Sequence, residues 1–365
     1  MALHLGALAV AAALVCLLSA RLASLHRRSA EGFDVVGAVL VAASVLLIGI
    51  GADKLPEWGV LRAAPAAPVS AAALSPAPIV LIAGALLMKA FVWWEGRCRA
   101  RGRPLLLAPE VLGTPAERSA LLSIFAIGLI GAGLTFLIPL YIEVVQGRSS
   151  AYTALALMPF ALAGFLAALA VARLRARGAP LRVVRYGFLI VAAGAALLGI
   201  TVRNDWSDSL VILGLALAGI GDGALTTYLF SVLVARAPRP LAGNVAPLCG
   251  AASSLAAGVG TALMGALAIG VLGANIHRDL AANPAIHEAL EVEVNLDSVR
   301  FVSNDRLRAV LGRTAASPQQ VEEAVRINTA ARLRALKLSF LALALFAAVA
   351  FLPARTVPSL AAAGS

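Results

Sequence analysis

Residues 209–234 read SLVILGLALAGIGDGALTTYLFSVLV, a continuous apolar run with a single charged side chain, Asp222. A run of this length and composition predicts a helix that crosses a lipid bilayer. Hydrocarbon offers no water to backbone N–H and C=O groups, so a spanning segment must satisfy them inside its own helix. This stretch therefore predicts an α-helical membrane protein.

Similar apolar runs occupy most of the 365-residue chain. The nine predicted spans are 3–20, 35–51, 77–94, 120–142, 151–172, 184–202, 209–234, 244–273 and 336–352. Charged residues make up 13% of the chain, whereas a soluble domain carries about 25%. The predicted fold class is all-α, a polytopic membrane helix bundle of about nine transmembrane helices.

Arginines in the short loops predict the orientation of the bundle. The loops after spans one, three, five and seven are rich in arginine, and the alternate short loops hold few basic residues. The positive-inside rule places the arginine-rich loops in the cytoplasm. The chain is then a multi-pass protein of the plasma (inner) membrane, with its N-terminus outside and its C-terminus cytoplasmic. The net charge of +11 is explained by topology and contact with anionic membrane lipids, so we expect no nucleic-acid partner.

One long hydrophilic stretch, 274–335, is predicted on the outer side. The run Ser317-Pro318-Gln319-Gln320 has the pattern of a helix start, so one or two external helices are expected there. The three cysteines and four histidines lack metal-site spacing. No cluster of nucleophile, base and metal ligands is visible, so we expect no metal, no cofactor and no enzyme activity.

Several stretches resemble the fourteen-span drug:proton antiporter subfamily of the major facilitator superfamily. They are Gly32–Gly37, Trp93–Arg97 with Arg103–Leu106, Phe136–Pro159, Ala172–Gly178 and the glycine-rich run from Gly250 to Gly265. Their order and spacing carry the resemblance. It implies a partial major-facilitator fold equivalent to the family's C-terminal nine spans, with its N-terminal five spans missing.

The resemblance also implies a domain organisation. Residues 1–20 would be a lone span like the family's sixth, and 21–112 would hold two linker spans and a cytoplasmic loop. Residues 113–365 would form the six-helix C-terminal half, including the outer-side loop 274–335. Because alternating access needs two halves, a second chain or a homodimer is an expected partner.

Asp222 is the leading candidate for proton coupling because a carboxylate at mid-bilayer is costly unless it faces a cavity or a partner. Its alternative role is a hydrogen-bonded packing residue. Glu143, just past the outer end of span four, is a second coupling candidate. Glu143 and its neighbour Gln146 could also be ordinary interfacial residues.

Four residues are candidates for a substrate pathway: Tyr141, Gln146, Thr226 and Tyr228. Thr226 lies four residues after Asp222 and so shares its helix face. An aromatic belt at Tyr141 and threonine hydroxyls bonded to their own helix are the plainer explanations.

Two further sets complete the predicted sites. The resemblance implies an inner-gate loop at Arg173, Arg177 and Gly178, although topology alone would also explain these charges. Gly250, Ser254 and Gly258 recur every four residues, which predicts a helix-packing seam.

The function that these observations favour is proton-coupled efflux of small amphipathic or cationic compounds by a major-facilitator transporter, incomplete when alone. The alternative is a non-transporting membrane remnant or scaffold that pairs with another transporter half.

Overall fold

The computed structural model describes residues 34–58, 75–101, 109–175, 182–203, 209–281, 304–312 and 317–354. Across these ranges the chain is helical and contains no strand. The helices are α1 (Val35–Trp58), α2 (Pro76–Ala100), α3 (Pro115–Pro139), α4 (Ser150–Arg175), α5 (Arg182–Thr201), α6 (Ser209–Arg236), α7 (Val245–Ala281), α8 (Asn304–Leu311) and α9 (Pro318–Ala354). Short 3₁₀ turns cover Pro109–Leu112 and Arg239–Asn244, and a π-helical turn, Leu140–Val145, continues α3.

In the described part of the chain, seven helices are long and apolar enough to cross a membrane: α2 to α7 and α9. The apolar part of α1, Val35–Gly51, is shorter. The all-α membrane bundle is confirmed, and predicted spans two to nine each fall on one helix. The predicted span 3–20 lies outside the described residues.

The segment 274–335, which was predicted on the outer side, differs in part from the expectation. Ser317 and Gln320 form the expected cap: the Gln320 backbone N–H donates to Ser317 Oγ at 3.3 Å, and the Ser317 N–H donates to Gln320 Oε1 at 2.9 Å. The helix that starts there does not stop before the last span but runs on as α9. No Gly or Pro occurs between residues 319 and 335 to end it. Of the one or two external helices expected here, α8 is a helix distinct from the last span.

Helix α3 occupies the centre of the bundle and packs against α6, α7 and α9. Helix α6 lies between α4 and α5, and α9 packs against α5 and α7. Helices α1 and α2 form a hairpin that attaches to α7 through α1. These contacts place the middle of α6 beside the middle of α3, where the candidate site lies.

The α1–α2 hairpin is joined by polar contacts at two levels. Ser44 Oγ donates to the Gly84 carbonyl at 2.8 Å, and the Trp94 indole N–H donates to the Asp34 carboxylate at 3.1 Å. The carboxylate of Asp34 also accepts from the Gly37 N–H at the start of α1. The hairpin is therefore a unit with its own interhelical bonds.

Candidate functional site in the groove between helices α3 and α6

The Gly219-Ile220-Gly221-Asp222-Gly223 segment sets how α6 meets its neighbours. A Cβ atom built on Gly219 would lie 2.1 Å from the Phe160 carbonyl oxygen of α4, and one on Gly223 would lie 2.0 Å from the Gly164 oxygen. These glycines therefore let the backbones of α4 and α6 touch.

Gly221 has the same role on the other side of α6. A Cβ atom there would lie 2.7 Å from the Gly187 carbonyl oxygen and 2.3 Å from a Val191 methyl carbon, both on α5. Glycine packing on two sides holds α6 between α4 and α5, which fixes the directions of the two side chains in the segment, Ile220 and Asp222.

Asp222 points toward α3. A Cβ atom built on Gly131 of α3 would lie 3.2 Å from Asp222 Oδ1, so the missing side chain at Gly131 leaves space for the carboxylate. The Asp222 side chain is partly buried and makes no hydrogen bond or ion pair with another described residue. A carboxylate near the middle of a spanning helix is costly unless it meets water or a ligand.

Two threonines extend this polar site along the helices. Thr135 lies one turn from Gly131 on α3, Thr226 lies one turn from Asp222 on α6, and both are exposed. Thr135 Oγ1 shares its one hydrogen between the Gly131 and Ala132 carbonyls, at 2.9 and 3.2 Å, so both lone pairs of the hydroxyl remain as acceptors. We call Gly131, Thr135, Asp222 and Thr226 the mid-membrane groove. It offers one carboxylate and two hydroxyls to an incoming cation or proton.

The other predicted pathway residues lie elsewhere. Tyr141 and Tyr228 are 1% and 0% exposed and belong to the apolar core. Glu143 and Gln146 are partly exposed at the far end of α3, where the helix becomes π-helical. Glu143 is twelve residues past Gly131, roughly 18 Å along the axis. The structure therefore brings Thr226 to Asp222 but not the other four.

The predicted inner-gate loop is only partly described. Arg173 is exposed near the end of α4, whereas Arg177 and Gly178 lie outside the described residues.

A contact that was not predicted from the sequence lies between the start of α3 and the end of α6. Arg236 Nε lies 3.7 Å from Glu117 Oε1, and Glu117 Oε2 accepts from the Thr114 N–H at 2.9 Å in a capping box. The Thr114-x-x-Glu117 pattern was the available signal.

We expect Glu117→Ala to destabilise the bundle because it removes both the α3 cap and the link to Arg236. The expected loss of unfolding free energy is about 1–2 kcal/mol. Glu322→Ala is the matched control, since Glu322 pairs with Arg308 at the surface with 68% of its side chain exposed. Thermal unfolding in one detergent compares the two, and equal midpoints would contradict the role of Glu117.

The predicted packing seam on α7 has one close neighbour. Gly250 and Ser254 are exposed, and a Cβ atom on Gly258 would lie 3.5 Å from Gly49 Cα of α1. A tighter approach occurs at Gly260, where a Cβ atom would lie 2.4 Å from the Leu129 oxygen of α3. The small residues of α7 thus allow close packing against α1 on one face and against α3 on another.

Arg332 of α9 is a buried polar residue that the sequence analysis did not single out. It is 0% exposed, and it donates to the Asn328 carbonyl at 3.2 Å and to Asn304 Oδ1 of α8. Thr329 Oγ1 also donates to Asn304 Oδ1, at 3.2 Å. Residues 304 and 332 are far apart in sequence, so no local pattern indicated the pair. These bonds attach α8 to α9.

The comparison with known proteins agrees with this architecture. The chain is 26% identical to a probable actinorhodin transporter of Streptomyces coelicolor over 66% of its own length and 40% of the relative. It is 31% identical to the cephamycin export protein of Amycolatopsis lactamdurans over 66% of its length and 46% of the relative. It is 28% identical to an uncharacterized MFS-type transporter of Bacillus subtilis over 58% of its length and 38% of the relative.

The chain is similar to membrane transporters of the major facilitator type. It is a multi-pass membrane protein, and its relatives are transporters rather than enzymes, as the sequence analysis expected. The chain spans less than half the length of these relatives. No family profile matches it.

Proposed function

We propose that this chain contributes the C-terminal nine spans of a fourteen-span, proton-coupled exporter of small amphipathic or cationic compounds. The mid-membrane groove carries the proposal, because its carboxylate lies beside a glycine near the middle of two spanning helices and has no hydrogen bond or ion pair with another described residue. The relatives support the transport class, since two are named for actinorhodin transport and cephamycin export.

Asp222 is the proposed coupling residue. Hydrocarbon disfavours a bare charge, so protonation and deprotonation of Asp222 would change the electrostatics of the groove strongly. A protonated Asp222 is neutral and can enter an occluded state, whereas the deprotonated form attracts a cationic substrate. Competition between proton and substrate for one carboxylate couples their opposite movements. Glu143 and Gln146 would stand at the outer entrance, and Arg173, Arg177 and Gly178 at the inner gate.

The proposed organisation places residues 113–365 as one helical half, with 21–112 as linker spans and 1–20 as a span like the family's sixth. Alternating access needs a second half that rocks against the first around a midplane site. We propose that this half is supplied in trans, by a second chain or by a second copy. The proposed orientation has the N-terminus outside and the C-terminus in the cytoplasm of the plasma membrane.

Transport in inverted membrane vesicles tests the proposal. The chain is expressed alone and together with the N-terminal portion of a related exporter, and uptake of a fluorescent amphipathic cation is followed after an imposed pH gradient. We expect gradient-dependent uptake in vesicles that contain a complete pair of halves, and its loss when a protonophore collapses the gradient. Binding of the two halves without any uptake would indicate a scaffold and contradict the proposal.

A further inference from the structure

Helix α2 carries an exposed stripe that the transport proposal does not use. Leu86, Lys89, Trp93, Arg97 and Arg101 follow one another at intervals of three or four residues, so they share one face of the helix and its last turn. All five are exposed, Leu86 by 61% and Trp93 by 59%. We call this set the α2 stripe.

The order of residues along the α2 stripe matches the profile of one membrane leaflet. An apolar residue comes first, then a lysine, then an indole, then two arginines. With a rise of 1.5 Å per residue, Leu86 and Arg101 lie roughly 22 Å apart along the axis. One leaflet, from the bilayer midplane through its headgroups, is about 20–22 Å thick. A phospholipid lying along α2 would therefore meet apolar surface with its chains and arginines with its headgroup.

The side chain of Arg97, near the arginine end of the stripe, is held in position by Trp93. The guanidinium carbon of Arg97 lies 3.9 Å from the centroid of the Trp93 ring, a cation–π contact that holds the guanidinium over the indole. A planar guanidinium presents paired donors that fit phosphate oxygens. Trp93 is an aromatic of the kind that favours the headgroup level of a bilayer.

Within the described part of the chain, the positive charge of the stripe has no acidic partner. No ion pair joins Lys89, Arg97 or Arg101 to another described residue. The nearest acid along α2, Glu95, is buried on another face, and Asp34 accepts from Trp94 on the side toward α1. The charge of the stripe is therefore complementary to an anionic headgroup.

The position of α2 leaves the stripe at the edge of the bundle. The helix packs against α1, with Gly84, Phe91 and Cys98 on its buried side. Only 17% of the most apolar 18-residue stretch of α2 is buried inside the described structure, compared with 56% of the corresponding stretch of α3. Among the described residues, α2 packs mainly against α1, so we expect its outer face to meet lipid.

We propose that the α2 stripe is a binding site for an anionic phospholipid, whose phosphate lies between Arg97 and Arg101 and whose acyl chains lie along Leu86. The site is independent of the groove at Asp222, so it holds whether or not the chain transports.

Quenching of tryptophan fluorescence by brominated lipids tests the site. The full chain, with Trp58, Trp94 and Trp206 replaced by phenylalanine so that Trp93 alone reports, is reconstituted in bilayers that contain brominated phosphatidylglycerol or brominated phosphatidylcholine at equal mole fraction. We expect the wild-type chain to favour phosphatidylglycerol about tenfold, and the double variant Arg97→Gln, Arg101→Gln to lose that preference. The matched control is Arg185→Gln, which removes an exposed arginine at one end of α5 and should leave the preference unchanged.

Three results would overturn the proposal. They are equal quenching by both lipids in the wild-type chain, an unchanged preference in the double variant, and an equal loss in Arg185→Gln. A further arm adds inorganic phosphate to the buffer. Displacement of phosphatidylglycerol by inorganic phosphate would show a site for soluble phosphate and would contradict a lipid site, whereas unchanged quenching supports it.

Discussion

Gly223→Ala is expected to lower the stability of the bundle strongly. Its Cβ atom would lie 2.0 Å from the Gly164 carbonyl oxygen, and a backbone atom cannot rotate away as a flexible side chain could. The helices α4 and α6 must separate to accept it. Overpacking of this kind costs about 1–3 kcal/mol at a single site. The double variant Gly219→Ala, Gly223→Ala should lose more stability than Gly223→Ala but less than the sum of the two single variants, because one separation of α4 and α6 relieves both contacts.

Gly270→Ala is the matched control for that prediction. Gly270 also lies inside a spanning helix, α7, but a Cβ atom there meets nothing within 4 Å. Alanine favours the helix over glycine, so the control should keep or raise the unfolding midpoint. Thermal unfolding of purified protein in a single detergent measures all three variants. A midpoint for Gly223→Ala that equals the control would show that α4 and α6 are not in backbone contact.

Asp222→Asn is expected to abolish proton-driven uptake while leaving the protein folded. The amide has nearly the shape of the carboxylate and fits the space at Gly131, but it cannot bind and release a proton. The measurement is gradient-dependent uptake by the two-half assembly in inverted vesicles, compared with binding of the same substrate without a gradient. We expect uptake to fall at least about tenfold, since the coupling step loses its titrating group.

Two comparisons make the Asp222 prediction specific. Glu322→Gln removes an acid at the surface and should keep wild-type uptake, because Glu322 is 68% exposed and outside the groove. Asp222→Glu keeps a titratable carboxyl group and should retain partial uptake. Undiminished, gradient-dependent uptake by Asp222→Asn would remove this residue from the coupling mechanism.

The sequence predicted the helices better than it predicted their contacts. Length and apolar composition identified the spans, and the Ser317 cap was predicted because caps depend on local hydrogen bonds. The neighbours of α6 could not be predicted, because the helix is apolar on every side and its periodicity favours no single face. Backbone contacts at Gly219, Gly221 and Gly223 determine which faces of α6 meet α4 and α5. Only the three-dimensional structure shows these contacts.

The same contrast between local features and contacts between helices applies to the candidate site. Asp222 was predictable as an isolated charge in an apolar run, and Thr226 followed from helix spacing. Gly131 could not be predicted as part of the site, since it lies on another helix and leaves space for Asp222 by having no side chain. Tyr141 and Tyr228, which stay predictions for the pathway, are buried in this structure. Sequence alone does not distinguish a tyrosine that packs in the core from one that lines a cavity.

Thiol accessibility tests the mid-membrane groove most directly. Single cysteines are placed at Thr226 and Thr135, and at Leu345 of α9, which is 67% exposed on the apolar perimeter. The background chain has Cys16, Cys98 and Cys249 replaced by alanine. If the groove meets water, a membrane-impermeant thiol reagent will modify Thr226→Cys and Thr135→Cys but not Leu345→Cys. Cysteines at 226 and 135 that react as slowly as the one at 345 would place Asp222 against lipid and contradict a transport pathway at this site.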